Sequence, residues 1–282
     1  MALPIVPISD GAGEIVAVGN KVADLAVGDP VCPLFFPEWL SGEAVSDERA
    51  VSSGLEAPGV LREFGAYLPH QLIRLPAYLS AAEAACLPCA GLTAWTALIE
   101  FSALSAGDWV LLQGTGGVSL FGLQFAKAAG AKVIVTSSQD EKLAKASALG
   151  ADHVINYRQD PDWGATAHRL ADDKGVHAIL EIGGTGTLQQ SFKALRRGGH
   201  INVIGYFAGI ELGLTVFHLI ERNAHMHGLS VGNRDSFADM LTFIEQHQIR
   251  PVISEIFELE NSGEAVAAIS RDKNFGKIVI EI

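Results

Sequence analysis

Residues 114–119 read Gly-Thr-Gly-Gly-Val-Ser and follow directly on the apolar run Trp-Val-Leu-Leu-Gln at 109–113. A stretch of small and apolar residues with helical spacing continues over 117–129, so the glycines stand where a strand turns into a helix. The chemistry that suits such a turn is anion capture. A helix N-terminus presents unpaired N–H groups and a partial positive charge, and glycine lets a diphosphate approach the backbone without a Cβ in the way. Tight turns use glycine for steric reasons alone, so the cluster gains its meaning from context, at the head of a series of strand–helix units. The pattern departs from Gly-x-Gly-x-x-Gly at its third glycine, which here is Ser119. That position packs helix against strand, and serine is small enough to fit.

The second apolar run ends in Thr136-Ser137-Ser138. A site for NAD usually carries an acid there, to accept from the ribose 2′-OH. Hydroxyls instead donate to a 2′-phosphate, which a carboxylate would repel, and Lys142 one turn into the next helix supplies positive charge. The expectation is NADPH over NADH. Two features pull the other way: Ser138 with Glu141 reads as a capping box, and Asp140 and Glu141 add negative charge.

These residues need elements to hold them. From 109 onward, apolar strands alternate with amphipathic helices: 109–113 then 117–129, 132–136 then 140–149, 153–156 then 162–172, 176–182 then 187–195, 200–205 then 215–222, 225–231 then 235–248. Near-continuous apolar strands separated by helices predict a parallel sheet covered on both faces, in a doubly wound α/β fold. Before it, short strands are expected within 12–19, 27–35 and 65–75, with a surface loop over 37–64. Ser80 with Glu83 is a capping box that starts a helix. A strand near 252–258, a helix near 261–271 and a strand at 276–282 close the chain.

The 282 residues suit two domains, and 49% apolar residues suffice for a sizeable core. A net charge of −12 with no basic stripe argues against nucleic acid and anionic membranes. No apolar segment is expected to span a bilayer and the N-terminus lacks a secretory pattern, so the compartment read from sequence is the cytosol. Three cysteines, Cys32, Cys86 and Cys89, suggest no disulfide framework.

The motif Gly-Leu-Thr-Ala-Trp-Thr-Ala-Leu at 91–98, the glycine turn with its flanks, and Leu-Gly-Ala-Asp-His-Val-Ile-Asn-Tyr at 149–157 resemble the medium-chain dehydrogenase/reductase superfamily. The resemblance is to its zinc-independent, quinone-oxidoreductase-like or zinc-type alcohol dehydrogenase-like branch. It implies a Rossmann-type doubly wound sheet plus a partial GroES-like β-barrel catalytic domain, with hydride transfer in the cleft between them. The implied boundaries are 1–90 for the catalytic domain, 91–232 for the dinucleotide-binding domain and 233–282 for a return to the catalytic domain. Relatives carry about fifty further residues before the stretch matched here, including part of the pocket wall. The resemblance makes Gly116, Gly117 and Val118 diphosphate contacts and Ser137, Ser138, Lys142 and Tyr157 the surroundings of the 2′-phosphate. Thr93 and Gly205 would line the nicotinamide side. It also implies a homodimer through the edge strand 225–231.

Zinc-using relatives have an early cysteine, a Gly-His-Glu where this chain has Ser9-Asp10-Gly11, and a later cysteine matched by Cys89. One thiol cannot make a tetrahedral site, so no zinc is expected and Cys89 is read as a small buried filler. His225 and His227 share a strand face, where a surface role fits better than a metal pair. Histidines 70, 153, 168, 177, 200 and 218 look scattered, and Phe36, Glu38 and Trp39 sit in the irregular loop that could border a pocket. No catalytic acid or base can be assigned. The leading function is a zinc-independent oxidoreductase passing hydride from NADPH to an activated C=C or C=O of an enone, quinone or aldehyde. A zinc-free alcohol dehydrogenase and a truncated, non-catalytic dinucleotide-binding protein are the alternatives.

Overall fold

The computed structural model describes residues 4–43, 51–211, 213–271 and 273–282. It divides into two compact units, Met1–Leu92 with Val231–Ile282, and Thr93–Ser230. The first unit opens with three short antiparallel strands in the order β1 (Gly13–Glu14), β2 (Pro30–Pro33) and β3 (Leu72–Arg74). The strand expected over 12–19 is cut to two residues. β1 is an edge strand, and residues 16–18 have no strand partner among the described residues, leaving Val16 64% and Val18 42% exposed. The run 65–75 is likewise reduced, because Pro69–Gln71 forms a 3₁₀ turn before β3. The expected surface loop is partly internal: Gly59 N and Val60 N donate to the carbonyls of Val6 and Ile8, and Ser52 and Ser53 are buried. Residues 44–50 of that loop lie outside the described residues.

Ser80 caps α1 (Ala81–Ala84) as its sequence predicts: its side chain accepts from Glu83 N while the Glu83 carboxylate accepts from Ser80 N. The helical path continues through π turns at Leu87–Gly91 and Thr96–Phe101 on either side of α2 (Leu92–Trp95). This Ala81–Phe101 run of 21 residues is long and apolar enough to cross a membrane, contrary to the sequence expectation. Most of it is buried inside the protein, which is how the core helix of a globular domain meets the same criteria.

The second unit is a six-stranded parallel sheet. Its elements are β4 (Trp109–Gln113), α3 (Gly117–Ala128), β5 (Lys132–Ser137), α4 (Asp140–Ala148), β6 (His153–Asn156), α5 (Trp163–Leu170), β7 (Val176–Glu181), α6 (Leu188–Ala194), β8 (Leu195–Val203), α7 (Val216–Arg222) and β9 (His225–Gly228). The strand order β6-β5-β4-β7-β8-β9 places the reversal of winding between β4 and β7, the switch point where doubly wound sheets open a crevice. Every residue of β4 and β7 is buried. On one face Leu111, Ile134, Ile179 and Ile201 pack with Trp163, Leu188 and Phe192 from α5 and α6. On the other, Leu112 and Leu180 come so close to α3 that a Cβ on Gly122 would lie 2.7 Å from Leu180 Cδ1.

The chain then returns to the first unit through α8 (Arg234–His247), capped by Asn233, whose side chain accepts from Ser236 N. It ends in β10 (Ile253–Glu258), α9 (Ser262–Ile269) and β11 (Lys277–Glu281), with β10 and β11 parallel.

Candidate functional site

Gly114 takes φ +74°, a conformation that favours glycine, and its N–H donates to Thr136 O at 2.8 Å, which ties the turn to β5. Gly116 is the N-cap of α3, extended at ψ −179°, and no side chain caps the helix. The first-turn N–H groups, those of Gly117 and Val118 among them, therefore lack the side-chain acceptor that a capped helix offers. A Cβ on Gly114 or Gly116 would meet nothing within 4 Å, so the approach is open. A helix N-terminus of this kind is suited to an anion. Ser119, in place of the third glycine, is buried and donates from Oγ to Gln113 O at 2.7 Å. The close helix–strand approach falls instead on Gly122, a role the motif did not reveal.

The other expected contacts are distributed around the carboxyl ends of the strands. Ser137 ends β5, buried, with Oγ 3.4 Å from the donating N–H of Gln139. Ser138 follows it, and Tyr157, 42% exposed, follows β6 with its N–H on Ser137 O. Lys142 is buried on α4. The expected Ser138–Glu141 capping box is not formed: Gln139 is the N-cap with no side-chain cap, and Glu141 pairs with Lys145 at 3.0 Å. Ser138 is thus not committed to that cap. Asp140 accepts from Asn156 Nδ2 at 2.6 Å and Gln159 Nε2 at 3.0 Å. Gly205 lies just past β8, where a Cβ would sit 2.4 Å from Ile182 O, so only glycine fits. Thr93 is buried on α2, on a helical element rather than at a strand end.

Two polar side chains that sequence reasoning passed over stand at the switch point. Gln113 ends β4 and Glu181 ends β7, both buried. Gln113 Nε2 donates to Glu181 Oε2 at 2.8 Å and to Ser191 Oγ at 2.8 Å. The available signal was a polar residue closing each of two largely apolar strands, directly after Val-Leu-Leu in β4 and Ala-Ile-Leu in β7.

The first unit holds a cavity of about 1280 Å³. Its wall is largely apolar, and Asp10, Lys277, Cys86 and Cys89 are among its polar groups. Lys277 Nζ is 3.4 Å from Asp10 Oδ2. Burial pulls the Lys277 amine down, but the Asp10 carboxylate beside it is the main opposing cause and the balance leaves its pKa raised, so the ammonium persists. Burial is the main cause that pushes Cys86 up to about 12 and Cys32 well above the ordinary thiol range. Cys89 is half-buried and is not the enclosed filler expected; Cys32 and Cys86 are. These groups do not fit zinc. A zinc site needs at least three thiolates, imidazoles or carboxylates converging on one point, and around this cavity the Lys277 ammonium stands among the two thiols and Asp10. No group of three or more His, Cys, Asp or Glu suited to a metal exists among the described residues.

The loop residues Phe36, Glu38 and Trp39 are occupied locally. Phe36 packs on Phe35 and Trp39, Trp39 Nε1 donates to Gly42 O, and Glu38 accepts from Gln71 Nε2. The histidines are not all scattered: His177, His200, His225 and His227 stack across β7, β8 and β9, with His200 Nδ1 3.2 Å from His227 Nε2.

A parallel sheet wound in both directions, with an uncapped glycine turn at its switch point, defines a doubly wound α/β protein of the Rossmann type. Comparison with known proteins narrows the class. The family model for zinc-binding dehydrogenases matches residues 117–246. A zinc-type alcohol dehydrogenase-like protein of Schizosaccharomyces pombe is 40% identical, over 100% of this chain and 83% of its own length. A Sinorhizobium meliloti chain provisionally named an alcohol dehydrogenase superposes with a TM-score of 0.94 at 44% identity, covering 100% of this chain and 83% of that one. An NAD-dependent alcohol dehydrogenase gives 0.89 at 31% identity, covering 100% and 84%. The chain belongs to the zinc-type alcohol dehydrogenase-like family of medium-chain dehydrogenases/reductases and is an oxidoreductase of that type.

Proposed function

We propose that the protein uses NADPH to reduce an activated C=C or C=O, in an enone, quinone or aldehyde, without zinc. The observation that carries this reading is the uncapped N-terminus of α3 behind Gly114, open to a diphosphate at the switch point of the sheet. The bound coenzyme supplies the hydride; the chain's own residues bind, orient and exclude water. Thr136, Ser137 and Ser138 offer no carboxylate to a ribose 2′-OH, which favours the 2′-phosphorylated coenzyme. No group of three or more metal-binding side chains gathers among the described residues, which supports a substrate that brings its own electron deficiency. That favours a conjugated or quinoid carbonyl over a simple alcohol.

The reading extends to a homodimer formed through β9 and its flank to Val231, working in the cytosol, where unpaired thiols such as Cys32 and Cys86 persist. The test is calorimetry with NADPH and NADH, followed by coenzyme consumption with a panel of quinones, enones and aldehydes. Tight NADPH binding with turnover supports the proposal. Quenching of coenzyme fluorescence without consumption favours the non-catalytic alternative, and absence of binding to either coenzyme overturns the enzymatic reading. Turnover confined to simple alcohols favours the zinc-free alcohol dehydrogenase.

A further inference from the structure

We infer that Glu181 is a positioning residue for the dinucleotide, locking the glycine turn after β4 to the loops after β7 and β8. The inference rests on the proposed dinucleotide function and deepens it, because it concerns how the same site is kept in shape.

Glu181 is fully buried, and its carboxylate takes five donors, all neutral. Oε1 accepts from Gly183 N at 3.1 Å, from Gly184 N at 3.0 Å and from Thr187 Oγ1. Oε2 accepts from Gln113 Nε2 at 2.8 Å and from Ser191 Oγ. The backbone oxygen of the same residue accepts from Ile204 N at 2.9 Å and Gly205 N at 3.2 Å. One residue therefore holds the 182–187 loop, the first residues after β8 and, through Gln113, the end of β4.

Gln113 completes the lock. Its Oε1 accepts from Ile182 N at 3.0 Å and Gly183 N at 3.2 Å, while its Nε2 faces Glu181 and Ser191. Flipping the amide would set donors against donors, so one orientation is fixed. Its backbone oxygen is held by Ser119 Oγ of α3, and the next residue is Gly114. A path of hydrogen bonds thus runs from the diphosphate turn, through Gln113 and Glu181, to Gly205, expected on the nicotinamide side.

The choice of a carboxylate is informative. Burying one is costly, and a core-filling apolar side chain would suffice for packing alone. Only an acceptor with several lone pairs can satisfy the N–H and O–H groups of the 182–187 loop, the Ser191 hydroxyl of α6 and the Gln113 amide at once. Pointing those groups inward fixes the 182–187 loop against the end of β4, while the Glu181 backbone oxygen holds the residues after β8, and a ligand that spans these segments needs them kept in one arrangement.

The test uses the intact protein and three variants: Glu181→Gln, Gln113→Glu and the exchanged pair Gln113→Glu/Glu181→Gln. In Glu181→Gln an amide N–H₂ meets a donor, Gln113 Nε2 or the Gly183 and Gly184 N–H groups. The expected result is an NADPH Kd raised about tenfold, with faster amide exchange in both 113–119 and 182–187 of the coenzyme-free protein. The kcat at saturation should stay within about threefold of the parent, since no reacting atom is touched. The exchanged pair keeps one carboxylate and one amide at the same two positions, so it should regain most of the lost affinity. Should Glu181→Gln not fold, Ser191→Ala removes only one of the five donors and is expected to give a smaller change of the same kind.

A folded Glu181→Gln that binds NADPH like the parent overturns the inference. So does faster exchange confined to 182–187, which is the mark of a purely local structural role, and so does an exchanged pair that folds without regaining affinity. Failure of the parent protein itself to bind either coenzyme overturns the functional reading, and this positioning role with it. A parent that binds beside a variant that binds equally well overturns the positioning role alone.

Discussion

At the scale of single residues, the site is shaped as much by missing side chains as by present ones. Gly205 is the sharpest case: an added Cβ would lie 2.4 Å from Ile182 O and 3.1 Å from Ile182 C, both backbone atoms that cannot rotate away. Gly205→Ala should cost roughly 1–3 kcal/mol, the usual range for forced overpacking, and weaken NADPH binding because it displaces the loop held by Glu181. Melting curves and calorimetric titration together check this; a variant with parental values in both would show that the loop gives way freely. Ser138 invites a different change. It is not tied up in the expected capping box and follows the last residue of β5, where NAD sites usually carry an acid. Ser138→Asp should raise the NADPH KM about tenfold or more, by setting a carboxylate near the 2′-phosphate, and leave the NADH KM little changed or improved. Steady-state kinetics with both coenzymes decide it, and an unaltered NADPH KM would mean that the phosphate lies elsewhere.

At the scale of elements, the edge of the parallel sheet carries a ladder of imidazoles that the sequence reading left apart. His200 on β8 stacks on His225 of β9 at 4.6 Å and faces His177 of β7 edge-on at 5.2 Å. Burial is the main cause that lowers the His200 pKa from 6.5 to about 4, and positive charge on His177, His225, His227 and Arg196 adds to it. Arg196 is itself paired with Asp108 at 3.1 Å. The sign of the pH effect follows from proton counting. Between pH 6.5 and 4 the unfolded chain holds a proton at residue 200 that the folded chain does not, so its contribution to stability is present above 6.5 and is lost as the pH falls towards 4. The urea midpoint should fall across that window, and His200→Phe, which keeps a flat ring in the stack, should flatten that part of the profile. A profile unchanged by the substitution would place the acid sensitivity on other groups. This ladder was not legible from spacing, because positions 177, 200 and 225 meet only through strand order. The strands themselves were legible for the opposite reason. Runs such as Val-Leu-Leu and Ala-Ile-Leu are buried on both faces, so apolar character alone marks them.

At the scale of the whole molecule, legibility falls wherever structure depends on a partner strand. The residues from Val16 to Val18 have strand composition, yet β1 stops at Glu14 because pairing and not propensity decides its length. The glycine turn, the sheet and its winding were all readable, whereas the Gln113–Glu181 lock required three-dimensional neighbours. The same dependence on partners gives the proposed dimer its test. Among the described residues β9 is the last strand of the sheet, bonded only to β8, so one row of its backbone groups lacks a strand partner there. Leu229 N donates to Val203 O. By the alternation of a strand, the N–H groups of His227 and His225 then face β8, and those of Met226 and Gly228 face the open edge. Gly228→Pro removes one outward donor and leaves the β8 ladder intact, and a Cβ at that position meets nothing within 4 Å. If two copies join edge to edge, this substitution should convert a dimer into a monomer in light scattering at micromolar concentration, with little loss of secondary structure by circular dichroism. A parent protein that is already monomeric, or a Gly228→Pro variant that stays dimeric, would remove β9 as the interface.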